Sequence, residues 1–94
     1  MIGEEKYVLK LFVTGMSVAS VRAIRNIKLI CESHIKNGYE LDIIDINRNP
    51  EVLQKFNIIA CPTLLKVSPS PSKRLIGDLS DESKVLTGLG LNNH

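Results

Sequence analysis

The sequence predicts an α/β fold built on one βαβ unit, and three stretches carry that prediction. Tyr7-Val-Leu-Lys-Leu-Phe-Val-Thr14 is almost wholly apolar and β-prone, as befits a strand covered on both faces. Val18, Val21, Ile24, Ile27, Cys31 and Ile35 recur at three- and four-residue steps, which makes one face of a long helix. Tyr39-Glu-Leu-Asp-Ile-Ile-Asp-Ile46 supplies the second strand. Strand, helix and strand in so short a span form a right-handed crossover between parallel strands.

Gly15-Met16 turns the chain out of the first strand. Ser17 is a suitable N-cap, because its hydroxyl can accept a helix N–H, and Met16 is placed to staple onto Val21. Gly38 reads as the glycine that closes the helix. After the second strand, Asn47-Arg-Asn-Pro50 starts a short helix, with Asn49 as cap and Pro50 in the first position. Val52, Leu53 and Phe56 form its apolar face.

The stretch from Asn57 to Val67 is an apolar run interrupted by Pro62. Proline cannot donate to a ladder, and it pushes Cys61 towards an extended conformation. Apolar-X-Pro-Thr-apolar before a hairpin is how thioredoxin-like folds enter their third strand, with the proline cis. Pro62 also suits the first position of a helix, and Thr63 to Val67 has no period that decides between the two. Ser68-Pro-Ser-Pro-Ser72 reads as a loop, and Lys73 to Leu79 as a short strand broken by Gly77. Ser80 then caps a last helix, with Asp81 and Glu82 in its first turn. That helix would carry Val85, Leu86 and Leu89. Gly88 and Gly90 lie within it, however, each costing roughly 1 kcal/mol against alanine. Val85, Thr87, Leu89 and Leu91 also alternate as a strand does. Two orders stay open: the βαβαββα order of thioredoxin, or one with a helical Pro62 stretch and a terminal strand. Residues 1–94 make a single domain in both.

Composition narrows the function. The chain is 44% apolar and 23% charged with a net charge of +2, so it has no polyanion-binding signature. Aromatics are too few for base stacking, and no apolar run reaches membrane-span length. Neither nucleic acid nor membrane is expected as a partner. The acidic start, Met1-Ile-Gly-Glu-Glu-Lys6, is no secretory leader, and two cysteines in apolar surroundings suggest a cytoplasmic protein with reduced thiols.

No enzyme, cofactor or metal is expected. Thr14-Gly-Met-Ser-Val18 stands where a catalytic Cys-X-X-Cys would lie, and it holds no cysteine. Cys31 belongs to the core face. Cys61 supports only a lower-ranked alternative, a thiol-dependent redox protein. Cys31 and His34 give two metal ligands where zinc wants three or four. Arg22, Arg25 and Lys28 form a basic row on the first helix, and Lys73 with Arg74 forms a second cluster. On charge alone both are solvated faces.

Several motifs go further together than any does alone. They are Tyr7-Val-Leu-Lys-Leu-Phe-Val, Ser20-Val-Arg-Ala23, Ile44-Asp-Ile followed by Asn49-Pro50, Pro62-Thr-Leu, Lys66-Val, Ile76-Gly-Asp-Leu-Ser80, and Lys84-Val-Leu86 with Gly88-Leu89. In this order and spacing the chain resembles the KaiB family of the cyanobacterial circadian clock. The resemblance implies a metamorphic, thioredoxin-like (KaiB-like) α/β protein. Its ground state would have a βαββααβ topology and assemble as a homotetramer of dimers. A rarer thioredoxin-like monomer would dock on the ATPase ring of KaiC, sequester KaiA and displace the sensor domain of the histidine kinase SasA. Both states share the βαβ half and differ in the C-terminal half, as two packings a few kcal/mol apart can.

By the same resemblance, Cys61, Pro62, Gly88 and Gly90 are the fold-switch positions. Arg22, Arg25, Lys66, Lys73 and Arg74 are the partner-binding ones. Gly88→Ala is expected to favour the helical state, and a change at Gly90 to act the same way more weakly. The chain departs from the family at Cys61, commonly threonine, at Asn57, often lysine, and at Gly90, often acidic. These departures leave a second function open, that of a KaiB paralogue in stress-response signalling.

Overall fold

The computed structural model describes residues 6–36 and 38–91. Its elements are β1 (Tyr7–Val13), α1 (Val18–His34), β2 (Tyr39–Asp45), α2 (Glu51–Lys55), β3 (Thr63–Ser68), β4 (Lys73–Ile76) and α3 (Glu82–Leu89). The sheet order is β2-β1-β3-β4, with β1 parallel to β2 and the other pairs antiparallel. This is the thioredoxin order. In this structure the C-terminal half is a hairpin followed by a helix.

β3 had no readable period because both its faces are covered. Leu64 joins β1 residues Leu9, Leu11 and Val13 in a core with Ala23, Ile27 and Cys31 of α1 and Val85 and Leu89 of α3. Leu65 points the other way, with Phe12, Val52 and Ile58. There Phe12 and Phe56 lie 5.3 Å apart, centroid to centroid, at 45°. Alternate residues of the central strands thus feed two cores, which is what a sheet sandwiched between helices requires. The Cys61-Pro62 peptide is cis, and the Pro62 carbonyl accepts the Gly77 N–H at 3.0 Å, joining the entry of β3 to the exit of β4.

The glycines that made α3 ambiguous both have a place in it. Gly90 is left-handed (φ 76°) just past the helix. Its N–H donates to the Thr87 carbonyl at 3.1 Å, and the Leu91 N–H reaches the Leu86 carbonyl at 2.8 Å. That pair of bonds is the Schellman closure, for which glycine is the preferred residue. The Tyr7 hydroxyl donates to the next orphan carbonyl, that of Leu89, at 2.8 Å. Gly88 lies inside the helix where it presses on β4: a Cβ there would come within 2.8 Å of Leu75 Cδ2.

Several local expectations are corrected. Met16, Val18 and Val21 are exposed, because α1 turns Ser20, Ala23, Ile27, Ile30 and Cys31 inward, and Met16 and Val21 line one surface groove. α1 ends at His34 with Ile35 extended, so Gly38 (φ 97°) lies beyond the helix end and does not cap it. Asn49 gives its side-chain N–H to the Asp45 carbonyl at 3.2 Å, and Pro50 takes the cap position of α2. α3 is capped by Asp81, whose carboxylate accepts the Lys84 N–H at 3.2 Å, and not by Ser80. β4 stops at Ile76, before Gly77.

Candidate functional site

β3 begins where β1 ends, since Phe12 pairs with Thr63, and Thr63 pairs in turn with Ile76 at the end of β4. The turn from β1 into α1, the segment 59–62 and the exit of β4 therefore meet at one end of the sheet. Dithiol oxidoreductases of this fold place their cysteines in that first turn. Here hydroxyls fill it. Ser17 Oγ accepts the Ser20 N–H at 3.2 Å and donates to Ser20 Oγ at 2.8 Å. Ser20 Oγ also accepts the Thr14 N–H at 3.0 Å, and Asp45 Oδ1 accepts the Gly15 N–H at 3.1 Å. The donors that could lower a thiol pKa are already used by oxygen acceptors.

Neither cysteine is set up as a thiolate. Cys31 is fully buried in the α1 core; burial, helped by the charge of Glu32, pushes its thiol up to about 11. Cys61 is half-buried against the α2-side core, and burial raises its pKa too. His34 does not join Cys31: its Nε2 pairs with Glu82 Oε2 at 3.1 Å, tying α1 to α3. Among the described residues no three His, Cys, Asp or Glu side chains cluster to hold a metal, and no helix is long and apolar enough to cross a membrane.

What the rim offers instead is exposed apolar surface. Ile59 is 89% exposed, Met16 84% and Ile76 61%, with Val18 beside Met16 at the start of α1. In the sequence Met16 reads as a staple, Val18 as part of an apolar helix face and Ile76 as part of a motif, and only the assembled fold shows that they and Ile59 face outward.

The five expected partner-binding cations do not form one face. Arg25 and Lys73 are exposed, and among the described residues neither has a carboxylate within ion-pair distance, nor does Lys28. Arg22 lies 4.0 Å from Asp78, whose carboxyl is held below its usual range by hydrogen bonds from Ser80 and by the Arg22 charge. Arg74 donates to the carbonyls of Phe56 and Asn57. Lys66 is the clearest departure, only 4% exposed, with its ammonium 6.0 Å from the Tyr7 ring centroid. Burial and the neighbouring charge of Lys73 lower its pKa. Of the positions expected to switch the fold, Cys61 and Pro62 sit in the rim, whereas Gly88 and Gly90 lie at the far end of α3.

A rim without a dithiol separates this chain from the thioredoxins whose fold it shares, and comparison with known proteins agrees. The family model described as the KaiB domain matches residues 10–91. The chain belongs to the KaiB family. It is 48% identical to the circadian clock oscillator protein KaiB of Picosynechococcus sp., over 94% of this chain and 85% of that relative. Against KaiB of Synechococcus elongatus the identity is 46%, over 97% and 89%. Among solved structures, the N-terminal domain of Synechococcus elongatus SasA superposes with a TM-score of 0.74 at 21% identity, covering 96% of this chain and 89% of that one. Fasciola hepatica thioredoxin gives 0.72 at 16%, covering 90% and 79%. At such identities the structural likenesses speak for the fold alone. Within the KaiB family, then, this chain presents the thioredoxin arrangement with an apolar rim at the end of the sheet where Thr63 pairs with Ile76, and Lys73 lies at the other end of β4, opposite Lys66.

Proposed function

We propose that this KaiB-family chain is a non-enzymatic regulatory protein that docks on a KaiC-like ATPase through the rim and so modulates a timing cycle. The observation that carries the reading is the rim itself. Exposed Met16, Ile59 and Ile76 supply surface whose desolvation favours association. Exposed Arg25 and Lys73, the latter at the other end of β4, have no carboxylate partner among the described residues and supply longer-range charge that steers an acidic partner. Nothing in the first turn offers thiol exchange in competition. The rim exists only when the C-terminal half forms the β3-β4 hairpin, so docking selects the thioredoxin order over the ground state that the family resemblance implies. A KaiA-like protein then joins the complex. A SasA-like kinase with a sensor domain of the same fold is excluded by competition for one surface. Away from the ATPase, the chain rests as a homotetramer or homodimer in the cytoplasm.

The test is binding to the host's own KaiC-like ATPase, purified and loaded with nucleotide. Ile59→Asp and Lys73→Glu should each weaken binding roughly tenfold or more, as loss of an interface anchor does. Wild-type chain that fails to bind, or variants that bind unchanged, would overturn the reading.

A further inference from the structure

Ile59 is displayed by a short segment that has little regular structure of its own. α2 ends at Lys55, and Asn57 then takes a left-handed conformation (φ 55°). Ile58 is anchored in the α2-side core, and its N–H donates to the Leu53 carbonyl at 2.8 Å. Ile59 stands out into solvent one residue later. The Ala60 carbonyl accepts the Thr63 hydroxyl, and the Pro62 carbonyl accepts the Gly77 N–H at 3.0 Å. The far end of the segment is thus fastened to the exit of β4.

The near end is fastened to the same strand by one side chain. Arg74 Nη1 donates to the Asn57 carbonyl at 3.1 Å, and Nη2 donates to the Phe56 carbonyl. These are consecutive carbonyls at the end of α2, where backbone acceptors lack helical partners. The left-handed Asn57 is what allows one planar guanidinium to take both. A fork of fixed N–H donors suits two adjacent acceptors; a lysine ammonium has no such geometry. β4 therefore brackets residues 56–62 from both sides, by Arg74 at one end and the Gly77 N–H at the other.

We propose that Arg74 is a positioning residue for docking: it acts through Phe56 and Asn57 to hold Ile59 in place and does not itself meet the partner's charge. This rests on the proposed rim but differs from the expectation that Arg74 is a docking cation. The two roles separate in kinetics. A charge that steers encounter changes the association rate and its salt dependence, whereas a residue that orders a contact changes dissociation.

The experiment uses the full chain with Arg74→Ala and Arg74→Lys. In the free protein, amide hydrogen exchange at Asn57 and Ile58 should quicken roughly tenfold in both variants, the scale of a lost charged hydrogen bond, while Leu9 and Leu11 in β1 stay protected. On the KaiC-like ATPase, both variants should dissociate faster, with association rate and salt slope close to wild type. Arg74→Lys keeps the charge and should still behave like Arg74→Ala. Three results would each overturn the inference: full rescue by Arg74→Lys, a flattened salt slope with slower association, or unchanged exchange at Asn57 and Ile58. Should Arg74→Ala fail to fold, Arg74→Lys carries the same comparison. Should wild type not bind the ATPase, the proposed function fails, and exchange in the free protein still decides whether Arg74 is the strap.

Discussion

Gly88 and Gly90 look alike in the sequence and behave differently in the fold. Alanine at position 88 gains roughly 1 kcal/mol in helix propensity. Its Cβ, however, meets Leu75 Cδ2 at 2.8 Å and Cγ at 3.2 Å, and overpacking costs about 1–3 kcal/mol. Gly88→Ala alone therefore favours the helical state only as far as Leu75, whose terminal methyls are the nearest atoms, can move aside. Leu75→Val shortens the obstructing side chain, so the double variant should be more stable than the two single changes sum to. Denaturant unfolding of all three checks this, and strict additivity would contradict it. Gly90→Ala was expected to act in the same direction as Gly88→Ala. At φ 76° it instead costs on the order of 1 kcal/mol, and it should destabilise α3.

Cys31 gives the residue scale a pH test. Its thiol is held protonated in the folded chain up to about 11, against an ordinary value of 9.0. Between these values the unfolded chain has lost the proton and the folded chain has kept it, so stability falls as pH rises from about 9 to about 11. Cys31→Ala should remove that part of the decline in urea midpoints taken across the range. At pH 8, iodoacetamide should label the half-buried Cys61 well before Cys31; the opposite order would contradict the burial of Cys31.

Among the elements, β1, α1 and β2 were legible because each carries a period or a run that local sequence alone produces. β3 was not, because burial on both faces erases the alternation that marks a half-exposed strand. α3 was not, because its two glycines serve a close approach to Leu75 and a Schellman closure, and only the finished packing creates those needs. Much the same holds for the site. The missing dithiol at Thr14 to Val18 could be read directly. The fate of the cations could not, since Arg22 meets Asp78 and Arg74 meets Phe56 and Asn57 across long sequence separations. Asp81 is the element-scale test. It is the side-chain cap of α3, and Asp81→Ala should cost about 1 kcal/mol in denaturant unfolding. Ser80→Ala, the change that the sequence first suggested, should cost less.

At the scale of the whole molecule, the two cores share one sheet, and the C-terminal half contributes to both: Leu64, Val85 and Leu89 to one, Ile58 and Leu65 to the other. The change of topology after α2 that the proposed function invokes would therefore rebuild both cores at once, passing between two discrete packings and not through gradual deformation. With the homotetrameric or homodimeric resting state of the proposed function, sedimentation at micromolar concentration should show a species well above 10.4 kDa, and added KaiC-like ATPase should draw it down to monomer in the complex. The most direct measurement is heteronuclear NMR of the labelled chain, alone and with that ATPase. The expected result is a bound spectrum in the thioredoxin order, with the largest perturbations at Met16 to Val18, Ile59 to Cys61 and Lys73 to Gly77. A saturating titration that leaves those residues unperturbed, or a bound spectrum whose 63–76 segment lacks the β3-β4 hairpin, would contradict it.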